Sequence, residues 1–129
     1  MNSLMLFDDA DTTTAPVEVD DLFRYRQIAF DYRRILDTSP LANRSLVALK
    51  VGARAFDIPC SDLTSRRKGT REIQEIRMKL MAFCRIVSEG HGPHVNTVKT
   101  IGRVFSRHHA TVIHAVNRYR ADIEHALRP

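Results

Sequence analysis

Apolar residues recur along this chain at intervals of three and four, the period of a helix. The pattern is clearest from Val98 to Tyr119, VKTIGRVFSRHHATVIHAVNRY. Val98, Ile101 and Phe105 form one apolar face. Ser106, Arg107 and His108 interrupt it, and Val112, Val116, Tyr119, Ile123 and Leu127 lay down a second stripe. Gly102 stands where a missing side chain would let a second helix approach closely. A short helix, a tight turn and a longer helix with a polar, basic start is the pattern of a DNA-binding helix-turn-helix. An ordinary helical hairpin is the alternative. In the DNA-binding case Arg107, His108, His109, Ala110, Thr111 and His114 face the major groove.

The rest of the chain reads as further helices. Residues 1–16 are acidic and turn-rich and are expected to be disordered. Residues 17–36 carry Leu22, Tyr25, Ala29, Tyr32 and Leu36 on one face, widened by Ile28 and Ile35. This stripe is expected to pack on the following domain, with pairing to a homodimer mate or another protein as the alternative. After the break at Thr38, Ser39 and Pro40, a helix over 44–56 places Leu46, Leu49, Ala53 and Phe56 inward. Ser61–Leu63 allows a short helical turn. The segment SRRKGTR, Ser65 to Arg71, reads as a flexible basic loop. Residues 72–88 make the longest helix of the body, with Ile73, Ile76, Leu80, Phe83, Cys84 and Val87 on one face and Arg77, Lys79 and Arg85 on others. The loop from Glu89 to Asn96 follows, and the last residues, from Ala126, are expected to fray.

Charge sharpens this picture. The chain of 129 residues has a formal net charge of +5, unevenly placed. Residues 1–43 hold four Arg against eight Asp or Glu, and residues 44–129 hold sixteen Lys or Arg against seven Asp or Glu. A basic body behind an acidic head suits a polyanionic partner. The basic loop in particular can follow a phosphate backbone or place an Arg in a minor groove. Cys60 and Cys84 are isolated from each other, which fits a reduced intracellular protein. No secretory signal or transmembrane-length apolar run is apparent, so a cytoplasmic, nucleoid-associated location is expected. His91 and His94 have no Cys or carboxylate nearby at ligand spacing, so no metal site is expected, nor any cofactor. No nucleophile–base–orienter arrangement argues for an enzyme.

Three separate stretches then carry a resemblance. Ala53 to Lys68, ARAFDIPCSDLTSRRK, resembles the start of the C-terminal DNA-binding domain of the bacterial replication initiator DnaA. RMKLMAFCRIVS, residues 77–88, resembles that domain's middle helix, and IGRVFSRHHATVIHAV, residues 101–116, resembles its signature. They occur in the family's order over roughly residues 45–125. The resemblance implies an all-α fold, a Trp-repressor-like helical bundle over 44–129 that binds double-stranded DNA, preceded by the N-terminal helix and linker over 17–43.

The resemblance also implies contacts. The basic loop would supply Arg66, Arg67, Lys68 and Arg71, with Arg67 or Lys68 entering the minor groove. Arg85 would reach phosphates or a base edge, and Val98 and Lys99 would meet the backbone. Arg107, His109 and Thr111 match the family's recognition positions. The departures are His108, where the family has Asp, and Ala110, where it has Thr, with a turn one residue shorter. A shifted base preference follows, each altered base contact being worth roughly 1–3 kcal/mol. No GxxxxGK[ST] phosphate loop occurs in the chain, so the DNA-reading module is expected to stand without the initiator's ATPase domain. The expected function is sequence-specific DNA binding in transcription regulation or in modulation of bacterial replication initiation. The alternative is an interaction module that kept the fold and lost DNA reading.

Overall fold

Each helix starts and stops where local chemistry allows it. A computed structural model describes residues 19–89 and 96–128. Within them lie α1 (Val19–Thr38), α2 (Arg44–Ala55), α3 (Cys60–Thr64), α4 (Arg71–Ser88), α5 (Val98–Val104) and α6 (His109–Leu127), with no strand among the described residues. The first turn of a helix leaves backbone N–H groups without partners. Side-chain oxygens of Asn43, Thr70 and Thr97 accept from the amides of Leu46, Ile73 and Thr100 and satisfy one such group at α2, α4 and α5. At their other ends α2 and α5 close alike. Ile58 and Asp57 donate back to Ala53 and Arg54, and Arg107 and Ser106 donate back to Gly102 and Arg103. Both are Schellman closures, in which one residue turns left-handed. Here that residue is Asp57 (φ 55°) or Ser106 (φ 56°), not glycine.

The fourth helix is the axis of the molecule. Leu80, Met81, Ala82, Phe83 and Cys84 are consecutive and all fully buried, so this turn of α4 is covered on every side. It packs chiefly on α6 and also on α2, α3 and α5. Gly52 faces Leu80, where a β-carbon would collide with the leucine methyls. Burial in this core pushes the Cys84 thiol up to about 12. The stripe of α1 goes into the same core through Tyr25, Ile28 and Tyr32, against α2 and α6. Tyr32 meets Phe83 edge to face at 6.1 Å, a favoured aromatic geometry. Lys79 adds an ion pair to Asp21 at 2.7 Å across the α4–α1 seam.

A buried polar cluster fixes the start of the helix pair. Asn96, left-handed at φ 47°, accepts from the Ser45 hydroxyl at 2.6 Å and donates to the Ser88 hydroxyl at 2.7 Å. The entrance to α5 is thereby tied to the start of α2 and the end of α4. Asparagine is one of the few residues that tolerates this backbone conformation.

Three expectations are corrected. Leu46 points outward, 41% exposed, because α2 is embraced on two sides and buries Val47, Ala48, Leu49, Val51 and Ala53 instead. Arg77, set on a face other than the apolar stripe, is buried as well. The C-terminal turn is held: Ala126 is buried, and its carbonyl accepts from Arg26 Nε at 2.9 Å, a cation placed at the negative end of α6. The expected disorder of residues 1–16, and His91 and His94 within the loop before Asn96, lie outside the described residues.

Candidate nucleic-acid interface

The turn between α5 and α6 is built around Gly102. A β-carbon there would lie 2.5 Å from the Arg107 carbonyl oxygen, so the chain can reverse this tightly only past a glycine. The close approach is made by the turn itself and by the backbone at the start of α6. His108 then caps α6: its Nδ1 accepts from the Ala110 amide at 3.1 Å. An accepting Nδ1 places the ring proton on Nε2, which is a donor. The His108 and His109 rings lie 4.2 Å apart. His108 thus caps the helix through one ring nitrogen and presents the other as a donor.

The basic loop is not flexible, as its composition suggested; it is pinned. Arg77, rising from α4, donates to the carbonyls of Asp62 (2.8 Å), Leu63 (3.1 Å) and Lys68 (3.1 Å). Arg107, from the turn, donates to the carbonyls of Ser65 (2.9 Å) and Arg67 (2.8 Å). The Ser65 hydroxyl accepts from the Arg67 amide, and Gly69 turns left-handed at φ 78°. Carbonyls satisfy the two guanidinium groups without neutralising them. Burial pushes Arg77 down from its ordinary value, the Arg107 charge adds to that, and Asp62 opposes it. Arginine stays charged through such shifts, so the loop keeps a concentrated positive field.

The predicted residues separate into two groups. Arg66, Arg67 and Lys68 are exposed on the loop, and the loop is joined by hydrogen bonds to the turn that carries Arg107 and His108. Ala110 and His114 are exposed on α6, while His109 and Thr111 are half-buried. Arg71 is exposed and pairs with Glu75 at 3.5 Å. The others lie apart. Arg85 sits two turns beyond Arg77, about 12 Å along the helix, and its charge acts on Glu89. One of its guanidinium nitrogens is buried without a partner among the described residues. Lys99 is exposed and Val98 half-buried in the first turn of α5, at the end away from the turn.

Three residues escaped the sequence reading. Arg103 on α5 lines a shallow concavity with Arg66, Gly102, Ser106 and Arg107. Ile113 and Asn117 share the exposed face of α6 with Ala110 and His114. Their spacing of three and seven residues from Ala110 was the available signal.

A tight turn, a capped helix with an exposed polar face and a cationic loop fixed beside it define a helix-turn-helix nucleic-acid-binding domain. Residues 48–118 match the family described as the bacterial DnaA protein helix-turn-helix, and the chain belongs to that family. The DnaA C-terminal domain binds double-stranded DNA and is non-catalytic by itself. The six helices are consistent with that all-helical domain. No curated protein and no solved structure gives a significant match to the chain. No helix among the described residues is long and apolar enough to cross a membrane.

Proposed function

We propose that this protein reads specific duplex sequences, laying α6 in the major groove and the loop Arg66–Lys68 along the adjacent backbone and minor groove. The observation that carries the reading is the fixed placement of the loop against the turn, which puts both elements within one surface. His108, His109, Thr111 and His114 supply hydrogen-bonding groups to base edges, and Ala110, with Ile113, supplies an apolar surface for a thymine methyl. Arg66, Arg71, Arg103 and Lys99 neutralise phosphates, which position the protein without reading sequence. Arg85 serves the same end only from the margin. The protein then acts on the nucleoid in the cytoplasm as a transcription regulator or as a modulator of replication initiation at initiator sites.

The test is selection of bound sequences from a random duplex pool at near-physiological salt, followed by titration of the winner. An enriched motif whose affinity falls steeply with salt supports the reading. No enrichment removes it. The second reading, a protein-docking module, is favoured by Phe23 and Phe30 on α1, which are 67% and 63% exposed. Sedimentation of the wild-type chain and of Phe23→Ser/Phe30→Ser separates a homodimer through that face from a monomer.

A further inference from the structure

Arg107 matches a recognition position of the family, yet its guanidinium is engaged elsewhere. One terminal nitrogen serves the Ser65 and Ser106 carbonyls, and the other serves the Arg67 carbonyl. Its backbone at the same time closes α5, because the Arg107 amide donates to Gly102 at 2.7 Å. One residue therefore belongs to the turn through its main chain and to the basic loop through its side chain. Arg77 grips the same segment from α4, so that residues 62–68 receive five side-chain hydrogen bonds on their carbonyls.

We propose that Arg107 is a positioning residue. Its guanidinium fixes the basic loop to the turn, so that loop and recognition helix meet the duplex as one preorganised unit, and it makes no phosphate contact of its own. Ordering a loop at the moment of binding lowers affinity, and a loop ordered beforehand avoids that loss. The planar fork of arginine suits two carbonyls two residues apart, whereas a lysine offers one compact ammonium. A single-point phosphate contact has no such requirement, since lysine supplies the same charge. The inference rests on the DNA-reading role proposed above.

The test uses the full chain with Arg107→Lys, Arg107→Ala, the pair Arg67→Ala/Lys68→Ala, and the triple variant with Arg107→Ala. Two readouts are taken: affinity for the selected duplex across salt, and the rate of trypsin cleavage after Arg66, Arg67 and Lys68 without DNA, with circular dichroism confirming the helices. Arg107→Lys is expected to bind as weakly as Arg107→Ala, both roughly tenfold below wild type, the scale of lost hydrogen bonds to a charged group. The triple variant is expected to bind no more than about twofold below the weaker parent, because Arg107 acts through the loop it holds. Loop cleavage is expected to rise about tenfold in both single variants on the same scale. Wild-type affinity and salt slope in Arg107→Lys, or multiplied losses in the triple variant, would overturn the proposal. If the wild-type chain binds no duplex selectively, the DNA reading fails, and the trypsin rates alone decide. Unchanged cleavage in Arg107→Lys and Arg107→Ala then overturns the clamp, and faster cleavage sustains it.

Discussion

At the scale of single residues, the turn before α6 holds two strict demands. Ser106 is left-handed at the position where glycine closes such helices at no steric cost. Ser106→Gly is expected to stabilise the protein by roughly 0.5–1 kcal/mol, read as a higher midpoint in urea with an unchanged slope. An unchanged or lower midpoint would mean that the Ser106 side chain contributes what the strain removes. Gly102 makes the reverse demand. Its missing β-carbon leaves room for a backbone oxygen, which cannot swing aside as a side chain can. Gly102→Ala is expected to cost about 1–3 kcal/mol and to weaken DNA binding beyond that, because the start of α6 moves. A variant with wild-type stability would refute the packing argument. The sequence signalled the need for glycine at 102. It carried no sign that the crowding atom is the Arg107 carbonyl, since that depends on how the turn folds back.

At the scale of elements, caps and buried polar groups decide where α6 sits. The apolar stripes, with the breaks between them, placed the longer helices within a residue or two, because each buries one face and its period is written in the chain. The link between elements was less legible. Asn96 reads as a loop residue, yet its amide joins Ser45 and Ser88, 51 and 8 residues away in the chain. Asn96→Ala leaves a buried serine hydroxyl without its partner and a left-handed backbone on an unsuitable residue. The expected loss is about 2–4 kcal/mol, measured by urea unfolding. A loss below 0.5 kcal/mol, roughly the level of an ordinary surface substitution, would exclude the cluster as the anchor of α5. Arg77 was misread for the same reason. It lies off the apolar stripe of α4, but the α3 and loop carbonyls close over it, and burial follows from the acceptors they provide.

At the scale of the whole molecule, charge enters the predictions for both binding and stability. If the loop cations meet phosphates, replacing Arg67 and Lys68 by alanine reduces the slope of log affinity against log salt by roughly 1–2, given about 0.9 per phosphate contact. An unchanged slope with unchanged affinity would place the DNA elsewhere on the surface. On the far side, Glu89 accepts two hydrogen bonds from Arg120, at 2.6 and 2.8 Å, and ties the end of α4 to α6. That pairing with Arg120, above all, holds the Glu89 carboxyl below its ordinary value, against an opposing effect of burial. A carboxyl lowered by folding stabilises the native state above its unfolded pKa and loses that contribution as pH falls toward its folded one. The pair is partly solvated, so the effect is small. Unfolding titrations from pH 6 to 3 are expected to show a shallower acid loss in Glu89→Gln than in wild type. Equal slopes would show that the pair contributes nothing.

The sequence by itself determined an all-helical chain, the positions of its helices, an acidic head on a basic body, and membership of a DNA-reading family through three motifs in order. Those properties are local: periodicity, composition and short motifs need no knowledge of what lies across the fold. Only the tertiary structure decided that the basic loop is held by Arg77 and Arg107, that His108 caps the helix it begins, and that Arg85 lies apart from the loop. It also decided that α1 shares the core through Tyr25, Ile28 and Tyr32. Each of these depends on which carbonyl, ring or apolar surface a distant segment brings within a few ångströms, and no local pattern in the chain records that.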